Sequence, residues 1–234
     1  MRASLLLAMV MLLAGCATVP SVSEPAPLGP TGGQLAAIGQ SPKVVALFKG
    51  TFDALNFTVA ESGERFYFQH TGDRIEVKGG KFGGADLDVV VARAQVDALG
   101  RLAEHGALND QDAFDIMRIL FSPIARAFIK GSFLANPIIL QMAGLEDNIQ
   151  IIFFTEGRAD SSSVTIMAKG FKWDAVDGLE GQPKRVFRLN ATETAEYMRR
   201  VHATRKSQNP KTWIDFVNWY RHWRDRVSIV PAAA

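Results

Sequence analysis

The chain has 234 residues, 47% of them hydrophobic, so it can bury a sizeable core and is not disordered as a whole. Its 26 basic and 24 acidic residues nearly cancel, which speaks against nucleic acid or another strongly charged partner. A lone cysteine excludes an intrachain disulfide framework, so stability must come from packing.

Residues 1–15 read as an export signal. Arg2 supplies a short positive region, and Ser4 to Leu13 is an apolar run too short to cross a bilayer, which needs about 20 residues. Leu13-Ala14-Gly15-Cys16 follows at once and resembles the lipobox of bacterial lipoproteins. That resemblance implies lipidation of Cys16 and a place in the cell envelope; an ordinary secretory signal with a chance cysteine is the other reading. Each buried methylene of an acyl chain contributes about 0.8 kcal/mol, so two or three chains would hold the protein on a membrane. Ala17 stands where the inner-membrane retention signal of enteric bacteria has Asp, which by analogy favours the outer membrane, facing the periplasm.

Residues 16–33 hold prolines and glycines among small polar residues and read as a flexible tether. Gln34 to Lys49 suggests a helix interrupted near Pro42. Leu55 to Ala60, Arg65 to His70 and Arg74 to Lys78 alternate as half-buried antiparallel strands joined by hairpins, and Asp86 to Ala92 makes a fourth. Gln95 to His105 reads as a helix. Asp110 to Leu145 is a long apolar stretch that Ser122-Pro123 and Asn136-Pro137 should divide into short helices.

The pattern then returns. Asn148 to Thr155, Val164 to Ala168, Phe171 to Trp173 and Lys184 to Asn190 read as strands, followed by a polar helix over Ala191 to Ala203. Placing Leu55 over Ile149 and Val89 over Phe187 aligns strand with strand at shifts of 94 and 98 residues, a weak internal repeat. Duplicated halves and one extended sheet both fit. The fold class is therefore α+β, a twisted and mainly antiparallel sheet with helices on one face, extended or duplicated in its C-terminal half. We divide the chain into residues 1–15, 16–33, 34–145 and 146–230, the last packing on the third. The closing helix starts near Lys211 and gathers Trp213, Phe216, Val217, Tyr220, Trp223 and Val227 on one side, as packing or as a membrane-interface face.

No reaction shows in the motifs. The four histidines, His70, His105, His202 and His222, lie at no metal-ligand spacing, and no cofactor motif is present. Ser161-Ser162-Ser163 reads as a hairpin turn and not a nucleophile, and Gly79 to Gly84 as a flexible turn and not a phosphate loop. Asp110, Asp112 and Asp115 suit a helix start. What remains is the apolar centre. Phe114, Met117, Leu120, Phe121, Ile124, Phe128, Ile138 and Met142 are either plain core or the lining of an adaptable pocket for a hydrophobic ligand.

A family resemblance bears on that choice. The strands from Arg65 to Lys78, then Ala85 to Val91, the helix through Val96 and Leu99, and Ala127-Phe128-Ile129-Lys130-Gly131-Ser132-Phe133-Leu134 with Asn136 to Met142 resemble the sterol carrier protein type 2 family over roughly Gly50 to Leu145. The resemblance implies a twisted sheet of about five strands with helices on one face, enclosing a tunnel that binds sterols, fatty acyl chains and other lipids without altering them. The chain departs from the family at Leu134 to Pro137 and carries about 90 further residues. The expectation is a non-enzymatic lipid-binding or lipid-transfer lipoprotein; the alternative is a scaffolding lipoprotein that docks a partner through Trp213 to Val227.

Overall fold

The computed structural model describes residues 27–131, 148–159, 161–169 and 172–227. Helices α1 (Gly29–Gly39) and α2 (Pro42–Phe48) lead into strands β1 (Ala54–Val59), β2 (Arg65–His70), β3 (Ile75–Gly79) and β4 (Leu87–Val91), then α3 (Arg93–Glu104) and α4 (Asp110–Gly131). Strands β5 (Ile149–Phe154), β6 (Ser161–Lys169), β7 (Lys172–Asp177) and β8 (Arg185–Leu189) follow, then α5 (Ala191–Lys206) and α6 (Pro210–Arg224). Cys16, expected as the lipid anchor, and Ile138 and Met142, expected as pocket lining, lie outside the described residues.

The strands form two open sheets of four, ordered β3-β2-β1-β4 and β7-β6-β5-β8. The fold is thus α+β, with a duplicated unit. In each, a three-strand antiparallel meander is completed by a fourth strand that crosses to the far edge and pairs in parallel with the first. The sequence reading has hairpins only; period-2 alternation marks which face is buried but says nothing of which edge a strand joins.

Register establishes the repeat residue by residue. Leu55 opposes Phe68 and Leu87, and Ile149 opposes Ile166 and Arg185. The shift is 94 residues from Leu55 to Ile149 and 98 from Phe68 to Ile166 and from Leu87 to Arg185, so the four extra residues fall within the β5–β6 hairpin. Ser161, Ser162 and Ser163 pair with Phe154, Phe153 and Ile152 and belong to β6, not to a turn as the sequence suggests.

The equivalence extends to side chains that share no identity. Asn56 on β1 is buried on the face turned away from Leu55 and Phe57, where its Nδ2 donates to the Phe82 carbonyl at 2.9 Å and its Oδ1 accepts from the Phe82 N–H at 2.8 Å. Gln150 on β5 is equally buried and donates to the Glu180 carbonyl at 3.2 Å. Both amides pin the crossing segment on its way to the last strand. At the next junction Gln95 Oε1 accepts from the Ala92 N–H, and Glu193 Oε2 accepts from the Asn190 N–H, each fixing the first turn of the following helix.

Two helices depart furthest from the sequence reading. α1 begins at Gly29, inside the stretch read as tether, because Pro30 suits the first turn of a helix and Thr31 is buried against Arg93, which donates to its hydroxyl at 2.7 Å. α4 runs unbroken through Pro123 where a break is expected. Proline has no N–H for the Ile119 carbonyl four residues earlier. Gln95 Nε2 supplies the missing donor at 3.3 Å.

α4 is the centre of the molecule. It packs on β4 of the first sheet and on β6 and β7 of the second, and α2, α3 and α5 also touch it. One contiguous core runs through both halves.

Candidate functional site

The face of α4 turned to the first sheet carries Ile116, Leu120 and Ile124, four residues apart and therefore stacked on one side of the helix. With Leu35 and Ile38 of α1, Val44 and Phe48 of α2, and Leu55, Phe68 and Ile75 of the sheet they enclose a cavity of about 20 Å³. Among the described residues no charged or hydrogen-bonding side chain lines it. A space this size would hold one water at most, and without polar partners it stays dry. α1 closes one side by direct backbone approach: a Cβ on Gly39 would sit 2.4 Å from the Ile75 carbonyl oxygen.

The expected pocket residues divide among three surroundings. Leu120 and Ile124 line this cavity. Phe121 turns to the second sheet and stacks on Phe153 with ring centroids 5.6 Å apart, while Met117 is buried in the shared core. Phe114 is half-buried and borders a separate open cleft between α2, α4 and α5. Phe128 lies on α4, its side chain outside the described structure. The apolar excess of α4 does not point to the lining from α1 and α2, although Leu35 with Ile38 and Val44 with Phe48 stand at the i, i+3 and i, i+4 spacing of buried helix faces.

Two polar clusters clasp the halves together. At the open end of β1 and β4, Asp53, Asp86 and His202 bring one ligand-type atom each to within 4.8 Å of one another. His202 Nε2 lies 3.3 Å from Asp53 Oδ1, and the Lys206 ammonium bridges Asp53 and Asp86, 3.1 Å from the latter. The Lys206 hydrogen bond holds the Asp53 carboxyl below the usual aspartate range. Burial pushes Asp86 up, but the N–H groups of Asp53 and Ala54 and the Lys206 ammonium outweigh it and keep that carboxyl low as well. Asp53 in turn raises Lys206. Both carboxylates are thus ionised around a resident cation, so the two acids and the imidazole tie α5 to the first sheet. They could hold a divalent metal only if Lys206 swung away.

A second clasp links the extra residues of the β5–β6 hairpin to α4. Asp115 is buried, accepts from Arg158 at 2.8 Å, and has Arg118 at 3.5 Å. The aromatic side of α6 is also turned inward. Trp223 stacks on Phe187 of β8 at 5.9 Å and on Tyr197 of α5 at 5.3 Å, and Trp219 stacks beside it at 5.4 Å. Burial there pushes the Tyr197 phenol up to about 12.

No family model, curated protein or solved structure matches the chain. Among the described residues no helix is long and apolar enough to cross a membrane.

Proposed function

We propose that the protein is a non-enzymatic carrier of a hydrophobic molecule, held in the bacterial envelope by lipid on Cys16. The observation that supports this reading is the wholly apolar cavity beneath the first sheet, walled by α1, α2 and α4. Its closed volume is far below that of a lipid, so uptake requires a wall to move. α2 is the wall best suited to it, being two turns long and bounded by Pro42 and by Gly50, whose positive φ of 75° marks a backbone bend. Enclosing roughly 400 Å² of ligand surface would contribute on the order of 10 kcal/mol before entropic costs, enough to draw a lipid from water.

Docking of a partner through Trp213 to Val227 would need aromatic surface that α6 buries against Phe187 and Tyr197. The carrier reading is tested by offering delipidated protein a fatty acid, a phospholipid, a sterol and a hopanoid. Stoichiometric uptake of one class is expected; no uptake of any of them rejects the reading.

A further inference from the structure

The short helix α2 separates two spaces of opposite character. Val44 and Phe48 face the apolar cavity, while Lys43, Ala46 and Leu47, on the other side of the same helix, face the open cleft. α4 divides in the same way, with Ile116 and Leu120 toward the cavity and Ala113 and Phe114 toward the cleft. The cleft has a volume of about 410 Å³, within the range of about 300–1,000 Å³ typical of ligand sites. Its floor is small and apolar, with Ala191 and Ala195 of α5 facing Ala113, and its rim carries Lys43 and Arg199.

The charges at that rim are held loosely. Lys43 pairs with Asp110, but the two side chains are 53% and 77% exposed, so the pair contributes little and exchanges readily with another anion. Arg199 reaches Glu196 at 3.4 Å, and the same carboxylate is held more closely by Arg200 at 2.7 Å. Among the described residues that line the cleft, Lys43 and Arg199 are the cations and Asp110 the acid, leaving the rim net positive beside an apolar floor.

Resting on the carrier reading above, we propose that the ligand is an amphiphile with an anionic head, which Lys43 and Arg199 bind in the cleft while the chain passes between α2 and α4 into the cavity. Displacement of α2 joins the two spaces into one amphipathic pocket. The side of α2 that faces the sheet meets the chain, and the side that faces α5 meets the head.

The test compares two probes of equal chain length, palmitate and hexadecanol, by displacement of the uncharged dye N-phenyl-1-naphthylamine from the delipidated full chain. Wild-type protein should bind palmitate about tenfold tighter than hexadecanol, the discrimination expected of charge-assisted hydrogen bonds at a partly exposed site. The double variant Lys43→Gln, Arg199→Gln should lose this preference and keep its affinity for hexadecanol. The conservative pair Lys43→Arg, Arg199→Lys should retain the preference, which guards against a mere folding defect. Equal affinities for the two probes in the wild type, or a preference that survives in the glutamine variant, overturns the head-group site and leaves the carrier reading standing. Binding of neither probe overturns both.

Discussion

Leu120→Ala is the sharpest probe of the central helix. Leu120 is 4% exposed and borders the existing void between α4 and the first sheet. Losing three buried carbons removes about 2.4 kcal/mol of transfer free energy at about 0.8 kcal/mol per methylene. A cavity term adds to this, because the walls are held apart by the sheet and by the close approach of Gly39 to Ile75, so the site collapses poorly. The expected loss is about 3–4 kcal/mol, read as a lower urea midpoint with an unchanged m-value, or as roughly 6–15 °C in Tm for a chain of this size. The enlarged void should also admit a small apolar molecule such as benzene, and saturating benzene should restore part of the lost stability. A loss below about 1 kcal/mol with an unchanged m-value would refute the packing described for α4.

The two amides that pin the crossing segments should differ in cost. Asn56→Ala leaves both the N–H and the carbonyl of Phe82 without their partner and should destabilise by about 2–3 kcal/mol, whereas Gln150→Ala removes one bond to Glu180 and should cost about 1 kcal/mol; urea melts decide between them. Trp223→Ala should cost about 3–5 kcal/mol and release α6, seen as increased amide hydrogen exchange over Pro210–Arg224, since Trp223 is the ring on which Phe187, Tyr197 and Trp219 converge. Stability should also depend on pH through His70. Burial pushes its imidazole below the ordinary 6.5, against a smaller upward pull from Asp53. A depressed folded value means that the unfolded chain binds the proton first, so stability is fully present above pH 6.5 and declines as the pH falls below it. His70→Phe should flatten that decline in urea melts between pH 7 and about pH 5, and an equal slope in the variant would exclude His70 as its source.

Much of this architecture was legible where the signal is local. β2 occupies Arg65–His70 as its alternation suggests, and β5 and β8 fall within a residue of their apolar runs. The offsets of 94 and 98 were visible because buried positions keep their pattern when identities are lost. What stayed illegible depends on distant partners. Whether α4 breaks at Pro123 turns on Gln95, which lies 24 residues from the carbonyl it completes and makes the proline tolerable. The start of α1 has the composition of a linker and becomes helix only because Thr31 and Leu35 find burial against the rest of the first half. The parallel strand at the far edge of each sheet follows from where Asn56 and Gln150 hold the crossing segment, a contact that no spacing rule announces. The cavity was half legible: α4 announces its apolar excess, but the wall from α1 and α2 needs the fold to bring it there.

The central claim is that the protein holds a hydrophobic molecule, and native mass spectrometry of the intact protein purified from its own cells tests it most directly. A complex heavier than the chain by the mass of one acyl-chain amphiphile is expected, and the added mass should dissociate on mild activation while the mass of any covalent lipid on the proposed anchor Cys16 remains. A spectrum showing the chain with no non-covalent ligand, from a preparation that also takes up no added palmitate, would contradict it.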